Sequence, residues 1–418
     1  MRLYLVISLL FTALQVTAQN RTFDAVEPED FENGGVQIFS EAGINSNTFT
    51  GDFYAGLLDG RLYTNETLNN ITNRAGMHNR AGFDSHTGFQ TAIKLNPHQN
   101  DNVLLTIGGG FKTHLNSAYS RDALNVFLNG NSNYRSREAD FDELNAKYLE
   151  YSQIKVGLHK RTSTGKRLGV TAAINLGHNL FALDAPFARL YTPENGSDLR
   201  FNLLAEAHYT DETDKNRRKI KGVGAGLDFY YEIPLNVTAQ PENKGYLRTS
   251  IHDFGFITYN QNTKNAQIDS LYYYSGEDAG TFPQQNGEAV SLLTAGEARD
   301  LITSQPQNVS KTVILPFWLR ARAFQQFKKY DVSAGIDFRV NANFTPYLYT
   351  RLRRFLGESW KAGAILGAGG YGNGNFGLSF SYERAGWGIS LISQNLDGVL
   401  FSSTAGGVHG GIQLQKCF

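Results

Sequence analysis

The chain has 418 residues, with Lys+Arg 39 and Asp+Glu 39, so no net charge suggests nucleic acid or any other strongly charged partner. The single cysteine, Cys417, cannot form an internal disulfide or a cysteine-built metal site, which excludes a disulfide-stapled secreted scaffold. A mean hydropathy of −0.34, with no run of about 18 apolar residues, excludes a helical membrane protein. It does not exclude a membrane barrel, whose strands put only every second residue into lipid.

In chain order, the first element is a targeting segment. Met1 and Arg2 give a positively charged start, Leu3 to Val16 is apolar, and Val16, Thr17 and Ala18 supply the compact residues that signal peptidase needs. The expectation is a signal peptide over 1–18, cut before Gln19, followed by one barrel domain over 19–418. No cysteine near the cut offers a lipid anchor.

Alternation then dominates. In 102–115, Val103, Leu105, Ile107, Phe111 and Leu115 oppose Asn102, Thr106, Lys112 and His114. A hairpin follows, with strands 153–161 and 167–177 around a polar turn, 162–166, containing Gly165. In 222–233, Val223, Ala225, Leu227, Phe229, Tyr231 and Ile233 share a face opposite Gly224, Gly226, Asp228, Tyr230 and Glu232. In 331–340, Val332, Ala334, Ile336, Phe338 and Val340 oppose Ser333, Gly335, Asp337 and Arg339. Other strands are expected near 34–40, 86–95, 200–210, 245–260, 268–275, 313–325, 344–354, 359–370, 375–384, 386–395 and 406–418. Many of these runs exceed the usual strand of about 5–6 residues and suit a tilted bilayer crossing of about 9–11. The fold class is therefore all-β: a transmembrane antiparallel β-barrel of about 14–16 strands with short helical inserts in its loops. Long loops are expected near 41–85, 116–151, 178–199 and 276–312, and short turns near 96–101, 162–166, 326–330 and 385. Stretches 286–303 and 137–150 read as helices. The last strand places Val408, Ile412, Leu414 and Phe418 on one face, and the aromatic Phe418 reads as a terminal signal for the barrel-insertion machinery.

The segments GVGAGLDFYY at 222–231 and YLRTSIHDFGFI at 246–257 resemble a family of uncharacterised outer-membrane β-barrels from the Bacteroidetes. Those proteins carry a glycine-rich strand with an Asp, then a strand ending Asp-x-Gly-Phe-Ile, a helical insert, and a Leu-Pro before the next strand. Leu315 and Pro316 stand at that last place here. The wider group is similar to long-chain fatty-acid transporter barrels and type IX secretion barrel proteins. The resemblance implies a fold and an outer-membrane location, and no catalytic residues.

No Gly-x-Ser-x-Gly elbow or His-Glu-x-x-His motif is present, and the nine His are scattered. On a regular strand His252 and Asp253 point to opposite faces and make no dyad. The glycine groups 108–110 and 363–374 lack a following Gly-Lys-Ser/Thr and read as wall glycines. No enzyme, cofactor or metal is expected. The candidate site is a set of charges on the polar strand faces: Asp228, Glu232, Arg320, Arg322, Asp337, Arg339, Arg351 and Arg353. A charge facing lipid costs roughly 2–4 kcal/mol at mid-depth, so these should face the lumen or a rim. There they would hold the lumen packed or guide a solute. Two functions compete, passage or uptake of a small or apolar solute and docking or accessory work in secretion or surface assembly; a third, a barrel enzyme, would need a Ser/His/acid cluster at one rim. The first expects an aromatic-lined opening. The second expects a closed lumen and large ordered outer loops that hold a partner. Outer-membrane lipid is the expected surrounding in both.

Overall fold

The computed structural model describes residues 34–60, 63–95, 102–196, 198–210, 219–235, 237, 243–275 and 306–418. The expected signal peptide and the helix at 286–303 lie outside these residues.

Every alternating run forms a strand. In chain order these are β1 (Gly34–Ser46), β2 (His78–Lys94), β3 (Asn102–Ser120), β4 (Arg137–Asp140), β5 (Leu144–Arg161), β6 (Arg167–Thr192), β7 (Asp198–Thr210), β8 (Gly222–Pro234) and β9 (Gly245–Ser275). Then come β10 (Gln307–Ile314), β11 (Phe317–Gln326), β12 (Tyr330–Val340), β13 (Thr345–Leu356), β14 (Trp360–Gly370), β15 (Gly374–Arg384), β16 (Trp387–Ser393) and β17 (Gly407–Cys417). β4 and β5 occupy one wall position against β6. β7 and β8 share another between β6 and β9, and β10 and β11 share a third beside β9. The segments therefore close as a 14-strand antiparallel barrel. The closing pair is β1 with β17, in register from Gly35↔Cys417 to Asn45↔Gly407.

Period-two geometry sorts the side chains. Along β8, Val223, Leu227 and Tyr231 are exposed on the outside, while Tyr230 and Glu232 are buried inside. Along β12, Phe338 and Val340 face out, while Asp331, Ser333 and Asp337 are buried. The outer wall is thus apolar and the inner wall polar.

The two ends differ. Both termini of the described wall lie at one end, here the turn end, with short turns that include 162–166, 357–359 and 385–386. The other, loop end also has short connections, 341–344 and 371–373, but it carries the helices α1 (Gly51–Asp59), α2 (Asn65–Arg74), α3 (Arg121–Asn129) and α4 (Asp397–Leu400). Local chemistry starts and stops these helices. The Thr64 hydroxyl accepts from the Thr67 amide at 3.2 Å and the Ser120 hydroxyl from the Ala123 amide at 3.0 Å, two N-caps. Gly60, at φ 64°, ends α1 in the left-handed region. Phe53, Tyr54, Ile71, Ala75 and Leu124 pack the first three helices into one apolar cap.

Several expected loops are strand. The span 178–199 is the upper part of β6 and the start of β7, with only 193–197 between them. Asn179, Asp184 and Arg189 interrupt its apolar parity, and such polar residues are admissible where a strand leaves the membrane. The expected helix at 137–150 is β4 and the first half of β5, because pairing with β6 and β3 overrides its helical composition. The loops at 41–85 and 116–151 are shorter than expected: β1 runs to Ser46, β2 starts at His78, β3 runs to Ser120 and β5 starts at Leu144. Within 276–312, β10 begins at Gln307. The expected strands 245–260 and 268–275 are one strand, β9.

Candidate functional site: a charged belt across the lumen

The belt begins with a defect in the wall. Asp253 has φ 63°, and the β8–β9 register shifts between Leu227 and Phe229. This is a β-bulge: His252 and Asp253 together oppose Asp228. Before the bulge Arg248 and Ser250 face inward; after it Asp253, Ile257 and Tyr259 do. His252 and Asp253 therefore both line the lumen, contrary to the opposite facing expected of a regular strand. On the other side of β9 the wall is broken at Leu315 and Pro316, between β10 and β11. The Leu315 amide donates to the Gly255 carbonyl at 2.9 Å. The segments that carry the sequence resemblance thus meet at one place.

Four side chains close around the bulge. Lys112 on β3 donates to both carboxylate oxygens of Asp253 at 2.6 Å. Lys155 on β5 bridges Asp228 at 2.7 Å and Asp253 at 3.0 Å. The Asp253 amide donates to Asp228 Oδ1 at 2.6 Å. Two cations and two carboxylates form one compensated cluster, which a water-poor interior requires.

A second cluster joins opposite walls. Arg339 on β12 pairs in bidentate fashion with Asp84 on β2, and His114 Nδ1 on β3 also meets Asp84. Asn116 lies 2.7 Å from His114 Nε2 and accepts from Asn343 at 2.8 Å. Going round the wall pair by pair, β2 and β12 stand seven positions apart in either direction. Fourteen strands about 4.8 Å apart, tilted about 40°, would enclose a circle of backbone about 28 Å across. A hydrogen-bonded Arg–Asp pair links Cα atoms no more than about 13 Å apart. The wall is therefore drawn in to an oval at this level. Arg80 adds a further tie from β2, donating to the Gly370 and Gly372 carbonyls at 2.8 Å each.

Between the clusters lies a cavity of about 70 Å³, lined by charged side chains that include Glu41, Asp84, Lys112, Asp228, Arg320 and Arg339. On the loop side of the bulge Leu149, Tyr151, Leu180, Ile257, Tyr259, Val313 and Leu315 form a buried apolar layer on the inner wall.

The eight charges singled out from sequence all lie on the inner face, but in separate groups. Asp228 is in the bulge cluster and Arg339 in the cross-wall pair. Arg320 stacks on Trp318 at 4.7 Å and lies 3.7 Å from Asp337. Nearer the turn end, Glu232 is held by Arg248 at 2.7 Å and Arg167 at 3.4 Å. Asp331 joins Arg353 at 2.7 Å and Arg351 at 3.7 Å. Arg322 donates to the Tyr246 hydroxyl at 3.0 Å. Phe418 lies outside the lumen, its amide on the Gly34 carbonyl at 3.0 Å. Sequence reasoning missed Asp84, Lys112, His114, Lys155 and Asp253 as site residues. Lys112 and His114 were visible on the polar face of 102–115; Asp84 lay in an expected loop, and Asp253 required the bulge.

Fold and interior define a closed β-barrel whose lumen is crossed by its own ion pairs. The chain belongs to a family of unknown function, DUF5723, whose model matches residues 34–386. No curated protein sequence matches it. Among solved structures it is similar to a deletion mutant of the monoaromatic hydrocarbon channel TodX, with 7% identity, coverage of 97% of this chain and 98% of that one, and a TM-score of 0.48. It is also similar to the Ralstonia pickettii toluene transporter TbuX, with 10% identity, coverage of 94% and 92%, and a TM-score of 0.43. The translocator domain of autotransporter NalP from Neisseria meningitidis matches at 10% identity, coverage of 92% and 88%, and a TM-score of 0.34.

Proposed function

We propose that this protein is an outer-membrane barrel that holds its own lumen shut and serves as a docking or accessory barrel for surface assembly or secretion. The Asp84–Arg339 pair carries the reading: a wall pinned to the opposite wall by a buried ion pair is not built as an open passage. The charged lining of the cavity also speaks against an apolar solute, which would want aromatic walls. The apolar outer face supports membrane residence, since exposed Leu352, Leu366 and Leu391 belong in lipid. Outer-membrane barrels carry short turns on the periplasmic side. That orientation puts the helical cap and the upper parts of β6, β7 and β9 outside the cell, where a partner would be met. On this reading export follows cleavage after Ala18, Phe418 addresses the insertion machinery, and the work done is binding rather than catalysis.

The test is permeation. The purified protein, inserted into phospholipid vesicles and showing heat-modifiable migration, should give no steady conductance and no swelling with small sugars. The Asp84→Ala, Arg339→Ala double variant should raise both. A steady open conductance from the unmodified protein would overturn the reading in favour of a channel.

A further inference from the structure

The outer face of the turn end is basic as well as aromatic, and the loop end of the same wall is not. On β13, β15 and β17, Arg354, Arg384 and Lys416 stand on the outward rows of Leu352, Phe380 and Leu414, within two residues of the strand ends; exposed Leu356 and Phe418 flank Arg354 and Lys416 on the turn side. Indoles stand between them. Trp387 is 64% exposed and directly opposes Arg384 on one side and Lys416 on the other. The Lys416 ammonium sits 5.1 Å over its ring. Trp360, also exposed, packs at a tilt against Tyr382, ring centres 4.3 Å apart. The adjoining β11–β12 turn adds exposed Lys328 and Lys329. Among the described residues of this stretch, Glu383 faces inward and is taken by Lys361 at 2.8 Å. Glu358 in the β13–β14 turn is left as the only outward acid there. At the loop end the connections 341–344, 371–373 and 394–406 contain no Lys or Arg and one Asp, Asp397.

We propose that this rim is a binding surface for anionic phospholipid headgroups. Indoles settle at the boundary between headgroup and hydrocarbon. They fix the depth of Arg354, Arg384 and Lys416 at the level of the lipid phosphates. A cation at that depth gains from net negative charge in the adjoining headgroups, and the gain falls with salt. A zwitterionic headgroup offers its phosphate together with a compensating ammonium and is held less well. The inference rests on the membrane reading above and adds the class of lipid and the face that selects it.

Tryptophan quenching reads it directly. The protein is inserted into phosphatidylcholine vesicles doped with either brominated phosphatidylglycerol or brominated phosphatidylcholine. Trp360 and Trp387 report the surrounding lipid, while Trp318, buried in the lumen, gives a constant background. We expect phosphatidylglycerol to be favoured roughly fivefold, what one engaged basic side chain supplies, and the preference to fade in high salt. Arg354→Gln, Arg384→Gln and Lys416→Gln together should abolish it. The charge-keeping set Arg354→Lys, Arg384→Lys and Lys416→Arg should retain it, and serves if the neutral set fails to fold. Equal quenching by the two lipids, or a preference that survives the neutral set or high salt, overturns the inference. Failure of the protein to insert at all would instead count against the membrane reading.

Discussion

The barrel is built from two unequal halves. From β12 to β17 the strands run 7 to 12 residues, close to the about 9–11 that a tilted crossing needs. From β2 to β9 the wall includes strands of 17, 19, 18, 26 and 31 residues. At about 3.3 Å per residue, β9 alone is on the order of 100 Å long. On the membrane reading proposed above, the short half is just tall enough to cross the lipid, and the tall half continues past it at the loop end. On that reading the membrane dictates the length of the short half. The excess of the tall half has to be explained by something outside the membrane, and a docking surface is such a reason. The Asp84–Arg339 pair joins the halves.

That pair offers the largest expected effect. Arg339→Ala leaves Asp84 buried with only His114 and should destabilise the inserted barrel by about 3–5 kcal/mol, as loss of one partner of a buried ion pair does. Replacing both, as Asp84→Leu with Arg339→Met, should cost clearly less. Urea unfolding in phospholipid vesicles measures both, and equal losses would mean that the halves are not held together by this pair. Next in size is a contrast between the halves. Leu366→Arg, on the outer face of β14 halfway along the strand, should cost about 2–4 kcal/mol. Leu204→Arg, equally outward but on β7, above the membrane crossing of β8, should stay within about 0.5 kcal/mol, as exposed aqueous sites do. Similar costs at the two sites would place the upper wall in lipid. The smallest effect is local. Ala385 and Gly386, at φ 51° and 77°, form a two-residue turn with both residues left-handed. Asn suits that conformation better than Ala. Ala385→Asn should add about 0.5–1 kcal/mol, and the same unfolding assay should register it as a small upward shift in the midpoint.

The short half was largely legible in the sequence. Its apolar residues recur every second position because one face meets lipid and the other the lumen, so 331–340, 359–370 and 375–384 read as strands at nearly their observed bounds. The same parity placed Asp337 and Arg351 inside. The tall half was harder. Above the membrane both faces of a strand meet water, the apolar contrast fades, and 178–199 reads as loop although it is mostly β6. Bulges are invisible to parity, since one extra residue reverses every later assignment; His252 and Asp253 were misread for that reason. Nor does a single strand tell which strand faces it across the lumen. Arg339 could be called inward from its own neighbours, but its partner Asp84 lies 255 residues away in sequence.

The pairing of β1 with β17 has a kinetic consequence. Gly35 lies beside Cys417, so the last seam of the cylinder joins residues at opposite ends of the described chain. Every other strand pairing can form between neighbours or near neighbours in sequence, with modest loop-closure entropy. This one closes a loop of nearly the whole described chain and is favoured only once the remaining strands hold its edges together. Until then β1 and β17 each present a row of unsatisfied amides and carbonyls, a template for pairing with any other open strand. The slow step in assembly should be zipping this seam, and the time during which it is open is the time during which the protein is exposed to aggregation.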